Sequence, residues 1–189
     1  MASLNPPRIR AFLAVNLSVA VTRKIAEEVD RLRKGVSAKV SWVAPANLHL
    51  TLRFLGSIDE HLIDGIAVRL KKVAARHPPF EARARGLGEF GGHVLWVGVD
   101  GGEALITMQR EVEATMVELG FGREEKPFHP HITVGRVKDG AIGQWSELAK
   151  SESEYGASQV GEIVVYESRT HKAGAEYIAR ARVALGKGD

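Results

Sequence analysis

An α+β fold with mostly antiparallel sheet is predicted for this 189-residue chain on three observations. Segments with strand alternation and segments with helical spacing are interspersed along it rather than sorted into blocks. Several connections between strands are of hairpin length, which argues against a doubly wound parallel sheet. The tetrad His, apolar, Thr, apolar occurs twice, as HLTL at 49–52 and HITV at 131–134, nearly half the chain apart. No Gly/Ser linker or low-complexity tract intervenes, so residues 1–189 read as a single domain of two similar halves.

The elements follow in order. Residues 9–17, IRAFLAVNL, read as a buried strand. Ser18 is the N-cap expected for a helix whose Val21, Ile25, Val29 and Leu32 recur at helical spacing as far as Gly35. A strand is expected near 47–55, with Leu48, Leu50, Leu52 and Phe54 on its apolar face. Ser57 and Glu60 form a capping-box pattern before a helix carrying Leu62, Ile63, Ile66, Leu70 and Val73, which His77-Pro78-Pro79 ends. Strands at 80–87 and 93–99 are joined by the glycines of LGEFGG. A third helix, 103–119, carries Leu105, Met108, Val112, Met116 and Leu119. HITV is a strand, a short helix surrounds Trp145 and Leu148, and KSESEYGAS reads as a polar loop. Strands near 160–168 and 176–184 flank the turn HKAGA.

Composition narrows the function. Apolar residues make up 44% and charged residues 26%, which is ordinary for a folded globular chain. The chain has no cysteine, which excludes disulfides, zinc-thiolate sites and cysteine nucleophiles and fits a reducing cytoplasm. The net charge of +3 permits an anionic partner. The early apolar run is broken by Asn16 and Ser18 and lacks a small-residue cleavage site, so it does not read as a secretory signal. No stretch approaches the length of a membrane span, and neither a Walker nor a dinucleotide fingerprint occurs.

The repeated tetrad carries the chemistry. On a strand, residues two apart share a face, so His49 pairs with Thr51 and His131 with Thr133, while Leu50, Leu52, Ile132 and Val134 point into the core. Two halves related by an approximate two-fold would set these strands facing each other across a cleft. One imidazole can then accept a proton while the other donates one, and the threonine hydroxyls can hold a phosphate without adding fixed charge. That suits in-line attack on a phosphodiester. Arg136 would alternate to the wrong face unless Gly135 permits a bulge. His129 also shares the face of His131, and His129, His131 and a third ligand such as His49 or Asp59 form the weaker, metal-binding reading. Trp42, Trp96 and Trp145 read as core; Phe12 and Phe128 read as core or as base-stacking platforms. Arg8, Arg10 and Arg53 read as solvated charges or a basic rim, and His61, His77, His93 and His171 as surface or turn residues.

HLTLRFLG and FHPHITVGR resemble the paired H-x-T signatures of the two-histidine (2H) phosphoesterase superfamily, and most closely its RNA 2′,3′-cyclic phosphodiesterases, historically called 2′-5′ RNA ligases. RAFLAVNL resembles the opening strand of that family, VLWVGV a central one, and VYESRT with GAEY the closing hairpin. The resemblance implies a bilobal α+β fold of two pseudo-two-fold-related lobes, with helices on the outer faces and the site in the cleft between them. It implies His49 as proton donor to the O3′ leaving group, His131 as proton acceptor from water, and Thr51, Thr133 and Arg136 as phosphate ligands. The expected activity is cofactor- and metal-independent opening of an RNA 2′,3′-cyclic phosphate to a 2′-phosphate, with weak 2′-5′ joining in some members. Cyclic nucleotides, 2′-5′ oligonucleotides and small cyclic phosphates are the other candidate substrates. A cytoplasmic monomer without membrane contact is expected. A binding module that captures RNA ends without turnover is the alternative of another class.

Overall fold

The structure, a computed structural model, describes residues 6–143, 145, 147, 153–172 and 174–186. The elements in chain order are β1 (Arg8–Val15), α1 (Val19–Leu32), β2 (Lys39–Trp42), β3 (Leu50–Asp59), α2 (Leu62–Ala74) and β4 (Phe80–Phe90), followed by β5 (Val94–Asp100), α3 (Gly102–Glu118), β6 (His131–Asp139), β7 (Glu154–Val160), β8 (Glu162–His171) and β9 (Gly174–Ala184). Among the described residues the nine strands form one sheet, ordered β7-β4-β5-β6-β3-β1-β8-β9 with β2 added on β6. Every pairing in it is antiparallel.

The strand order carries the two-fold. The units β1–α1–β3 and β5–α3–β6 are each strand, helix, motif strand. The motif strands lie together at the centre, β1 and β5 outside them, β8 and β4 next, and β9 and β7 at the edges. The two H-x-T strands are therefore sheet neighbours rather than strands facing each other across a gap. Their pairing is Leu50 with Ile132.

The helices form because each offers an apolar stripe. Val21, Ile25, Val29 and Leu32 of α1 are buried, and the Ser18 hydroxyl accepts from the Val21 N–H as the expected cap. Ile63, Ile66, Leu70 and Val73 of α2, and Leu105, Met108, Val112 and Met116 of α3, are likewise buried. Leu62 and Leu119 are the exceptions, each at a helix end and partly exposed. α2 packs on β8, β9 and α3, α3 on β3 and β4, and α1 on β7. Leu50, Leu52, Ile132 and Val134 belong to this core, so the opposite face of the central strands is left for His49, Thr51, His131 and Thr133. Among the described residues, no helix is long and apolar enough to cross a membrane.

Several expectations are corrected. The Ser57–Glu60 capping box does not form. β3 runs on to Asp59, the Arg8 guanidinium bonds Ser57, and α2 starts after His61 with no side-chain cap. Cross-strand pairing with β1 wins over the local capping pattern. KSESEYGAS is not all loop. Residues from Glu154 onward form the edge strand β7, whose Tyr155 and Ser158 are buried while its other polar residues face solvent. β2 went unpredicted because four residues are too few to show alternation. Of the short helix near Trp145 and Leu148, Trp145 is helical and fully buried, and Leu148 lies outside the described residues. His77 is buried rather than superficial, its Nε2 3.3 Å from the Glu111 carboxylate.

Candidate active site

The two motifs are matched in their local anchoring. A single 3₁₀ turn, Pro45–Asn47, leads into His49, the residue before β3. His49 Nδ1 lies 2.6 Å from the Asn47 carbonyl oxygen, and His131 Nδ1 lies 2.6 Å from the His129 carbonyl oxygen. A carbonyl can only accept, so each ring carries its proton on Nδ1 and keeps Nε2 for chemistry. The Asn47 turn is itself tied down, its side-chain amide donating to the Ala175 carbonyl on β9 at 2.7 Å. On the other ring nitrogen, His49 Nε2 meets the Thr51 hydroxyl at 2.9 Å. Antiparallel pairing about Leu50 and Ile132 places His49 across from Thr133 and Thr51 across from His131.

These four residues share a cleft of about 400 Å³ with Arg10, Phe12, Phe54, Phe90, Arg136 and Tyr177, among others. Aromatic rings wall both imidazoles. Phe12 and Tyr177 lie 4.8 and 5.2 Å from the His49 ring, and Phe90 lies 5.0 Å from that of His131. This burial pushes both imidazole pKa values below their ordinary value, and the carbonyl bonds oppose the shift. The His131 and Arg136 charges lower His49 further; those of His129 and Arg136 do the same for His131.

Arg136 does reach the cleft, and by the bulge its neighbour allows. Along β5 and β6, Leu95 pairs with Gly135 but Trp96 pairs with Thr133, so one residue of β6 is extra. Gly135 is needed there because side chains of β2, which pairs with β6 alongside it, fill the space beside it. A Cβ would lie 2.8 Å from Val40 Cγ1 and 3.0 Å from the Trp42 ring.

β3 has two bulges of its own against β1, and they overturn part of the alternation. Phe54, expected in the core, is 57% exposed and lines the cleft. Arg53, expected at a rim, is 5% exposed and pairs with Glu113 and Glu124. Arg10 lines the cleft, and Arg8 pairs with Asp59 at the far end of β3. His129 contributes its carbonyl to His131, and its ring packs on Phe90 and Trp96 beside an adjoining cavity of about 410 Å³ that Phe128 and Lys126 also line. Among the described residues no three metal-ligating side chains converge, so the His129–His131–His49 or –Asp59 grouping does not form. Phe12 is buried against His49, and Trp42 packs at a tilt on the core Trp145. Tyr177, Phe90 and Ser168 of the cleft were not singled out in the sequence, because they arrive from strands whose neighbours no local pattern reveals.

Known proteins resemble this chain in sequence and in fold. A family model described as the 2′-5′ RNA ligase superfamily matches residues 21–172. A protein of Methanothermobacter thermautotrophicus named RNA 2′,3′-cyclic phosphodiesterase is 34% identical over 179 residues, covering 90% of this chain and 95% of that protein. One of the same name from Aquifex aeolicus is 30% identical over 188 residues, covering 94% and 98%. A solved structure from Thermus thermophilus superposes with a TM-score of 0.81 at 25% identity, covering 96% of this chain and all of that one. The fold is also that of E. coli LigT complexed with 3′-AMP, at TM-score 0.79 and 23% identity, covering 95% and 99%.

Proposed function

The chain belongs to the 2′-5′ RNA ligase superfamily, and from that premise we propose that it hydrolyses the 2′,3′-cyclic phosphate at an RNA end to a 2′-phosphate. The observation that carries this reading is the pair of imidazoles, each held at Nδ1 by the carbonyl two residues before it and each lining one cleft. Two rings so anchored suit two proton transfers on opposite sides of one phosphorus.

In the proposed step His131 Nε2 takes a proton from water as the water oxygen bonds to phosphorus. The bond from phosphorus to O3′ breaks, and His49, protonated at Nε2, delivers its proton to O3′. The Thr51 and Thr133 hydroxyls donate to the non-bridging oxygens, and the Arg136 fork balances their charge. Substrate displaces the Thr51 hydroxyl from His49, which supplies a resting partner for that nitrogen. No metal ion takes part. A 5′-hydroxyl of a second RNA in place of water would give a 2′-5′ linkage by the same proton transfers.

Phosphorus NMR of a cyclic-phosphate RNA end tests the reading. The expected product is the 2′-phosphate alone, with His49→Ala and His131→Ala each lowering turnover by about 10²–10⁴-fold. An aryl phosphodiester, whose leaving group needs no proton, should restore His49→Ala but not His131→Ala. Equal rescue of both would reverse or remove the assigned roles. Bound but unchanged cyclic ends would select the RNA-end binding module instead.

A further inference from the structure

Among the described residues every arginine except Arg10, Arg123 and Arg136 has a carboxylate oxygen within 4.0 Å. Two of these three, Arg10 and Arg136, line the cleft of the two histidines. In a chain that pairs its guanidiniums so thoroughly, two left free at one cleft suit an anion, which a guanidinium fork binds through two hydrogen bonds.

Arg136 stands on β6 and Arg10 on β1 with β3 between them, so the two enter the cleft from opposite sides of β3. Arg10 is two residues before Phe12 on β1, and the Phe12 ring packs on His49. Two residues along a strand is about 6.6 Å, so Arg10 stands one step beyond Phe12, on the side away from His49, where it pairs with Ser57. Ser168 pairs with Arg10 across β8 and lines the same cleft. Across β3, Gly56 pairs with Ala11 at φ +72°, and no heavy atom lies within 4 Å of where its Cβ would be. The floor beside Arg10 is therefore open.

We infer that Arg10, with Ser168 beside it, binds the phosphodiester immediately 5′ of the cyclic phosphate, so that the cleft selects a polynucleotide end over a cyclic mononucleotide. This rests on the phosphodiesterase reading above. A single strand carries its next phosphate one nucleotide upstream, and the same cleft offers Arg10 one strand step beyond the Phe12 ring that walls the first imidazole.

The test compares three substrates with the same terminal base: a dinucleotide ending in a 2′,3′-cyclic phosphate, a 5′-phosphorylated cyclic mononucleotide, and the bare cyclic mononucleotide. The wild type should prefer the first two in kcat/KM, and Arg10→Gln should reduce that preference by about 10–100-fold. The slope of log kcat/KM against log salt for the dinucleotide should become shallower by about 0.7, as for one lost phosphate contact. An equal loss on all three substrates would place Arg10 at the reacting phosphate and overturn the inference, as would no loss on any. Preference for the dinucleotide without preference for the 5′-phosphorylated monomer would mean that a second nucleoside, not a phosphate, is read. Wild-type inactivity on all three would instead sink the phosphodiesterase reading itself.

Discussion

At the scale of single residues, each imidazole combines a fixed tautomer with a lowered proton affinity. The Nδ1 bonds to Asn47 and His129 decide the first, and burial among Phe12, Tyr177 and Phe90 decides the second. The neutral form of both rings is therefore favoured in the free protein, and an anionic substrate supplies the charge that helps one of them hold a proton. The sign of the pH dependence follows. Both pKa values lie below the ordinary value of 6.5, so kcat/KM should peak on the acid side of neutrality and fall as pH rises above it. The same depression acts on stability. Below about 6.5 the unfolded chain binds protons that the native rings refuse, so stability present above that pH is lost as pH falls through the native values. Urea midpoints followed from neutral into acid solution should decline, and less steeply in His49→Gln and His131→Gln. An unchanged slope in both variants would mean that other groups carry the titration.

At the scale of elements, bulges do what simple alternation cannot. One extra residue in β6 carries Arg136 to the face of Thr133, and of the two in β3 the first, between Thr51 and Arg53, sends Phe54 to the cleft and Arg53 toward α3. The first was legible in part, because Gly135 before Arg136 marks a place where a strand can bulge. The others were not, since nothing local in LRFLG distinguishes a bulged strand from a regular one. Gly135→Val puts a side chain where Val40 and Trp42 already lie. It should lower stability by about 1–3 kcal/mol in urea denaturation, with a fall in kcat/KM as Arg136 is displaced. Wild-type stability together with wild-type kcat/KM would show that β2 does not constrain the bulge.

At the scale of the whole molecule, one sheet assembles a site from both halves of the chain. β3 and β6 meet at Leu50 and Ile132, both fully buried, and this seam brings His49 and His131 into one cleft. Arg53 adds a second tie, since its ion pairs reach Glu113 on α3 and Glu124 on the segment that leads to β6. Because no three metal-ligating side chains converge among the described residues, turnover should be unchanged in excess chelator. Loss on chelation that zinc restores would favour a metal mechanism over two-histidine chemistry.

The stripes of the three helices, the Ser18 cap and the two H-x-T pairs were readable along the chain because each depends on residues a few positions apart. The same nearness explains the failures at Ser57–Glu60 and at the edge strand β7, where pairing with distant strands outweighed a local pattern. No periodicity encodes which strands become neighbours. Antiparallel pairing of β3 with β6, and of β1 with β3 and β8, is fixed by contacts between residues far apart, and it is this pairing that sets Arg10, Phe54, Ser168 and Tyr177 around the two imidazoles.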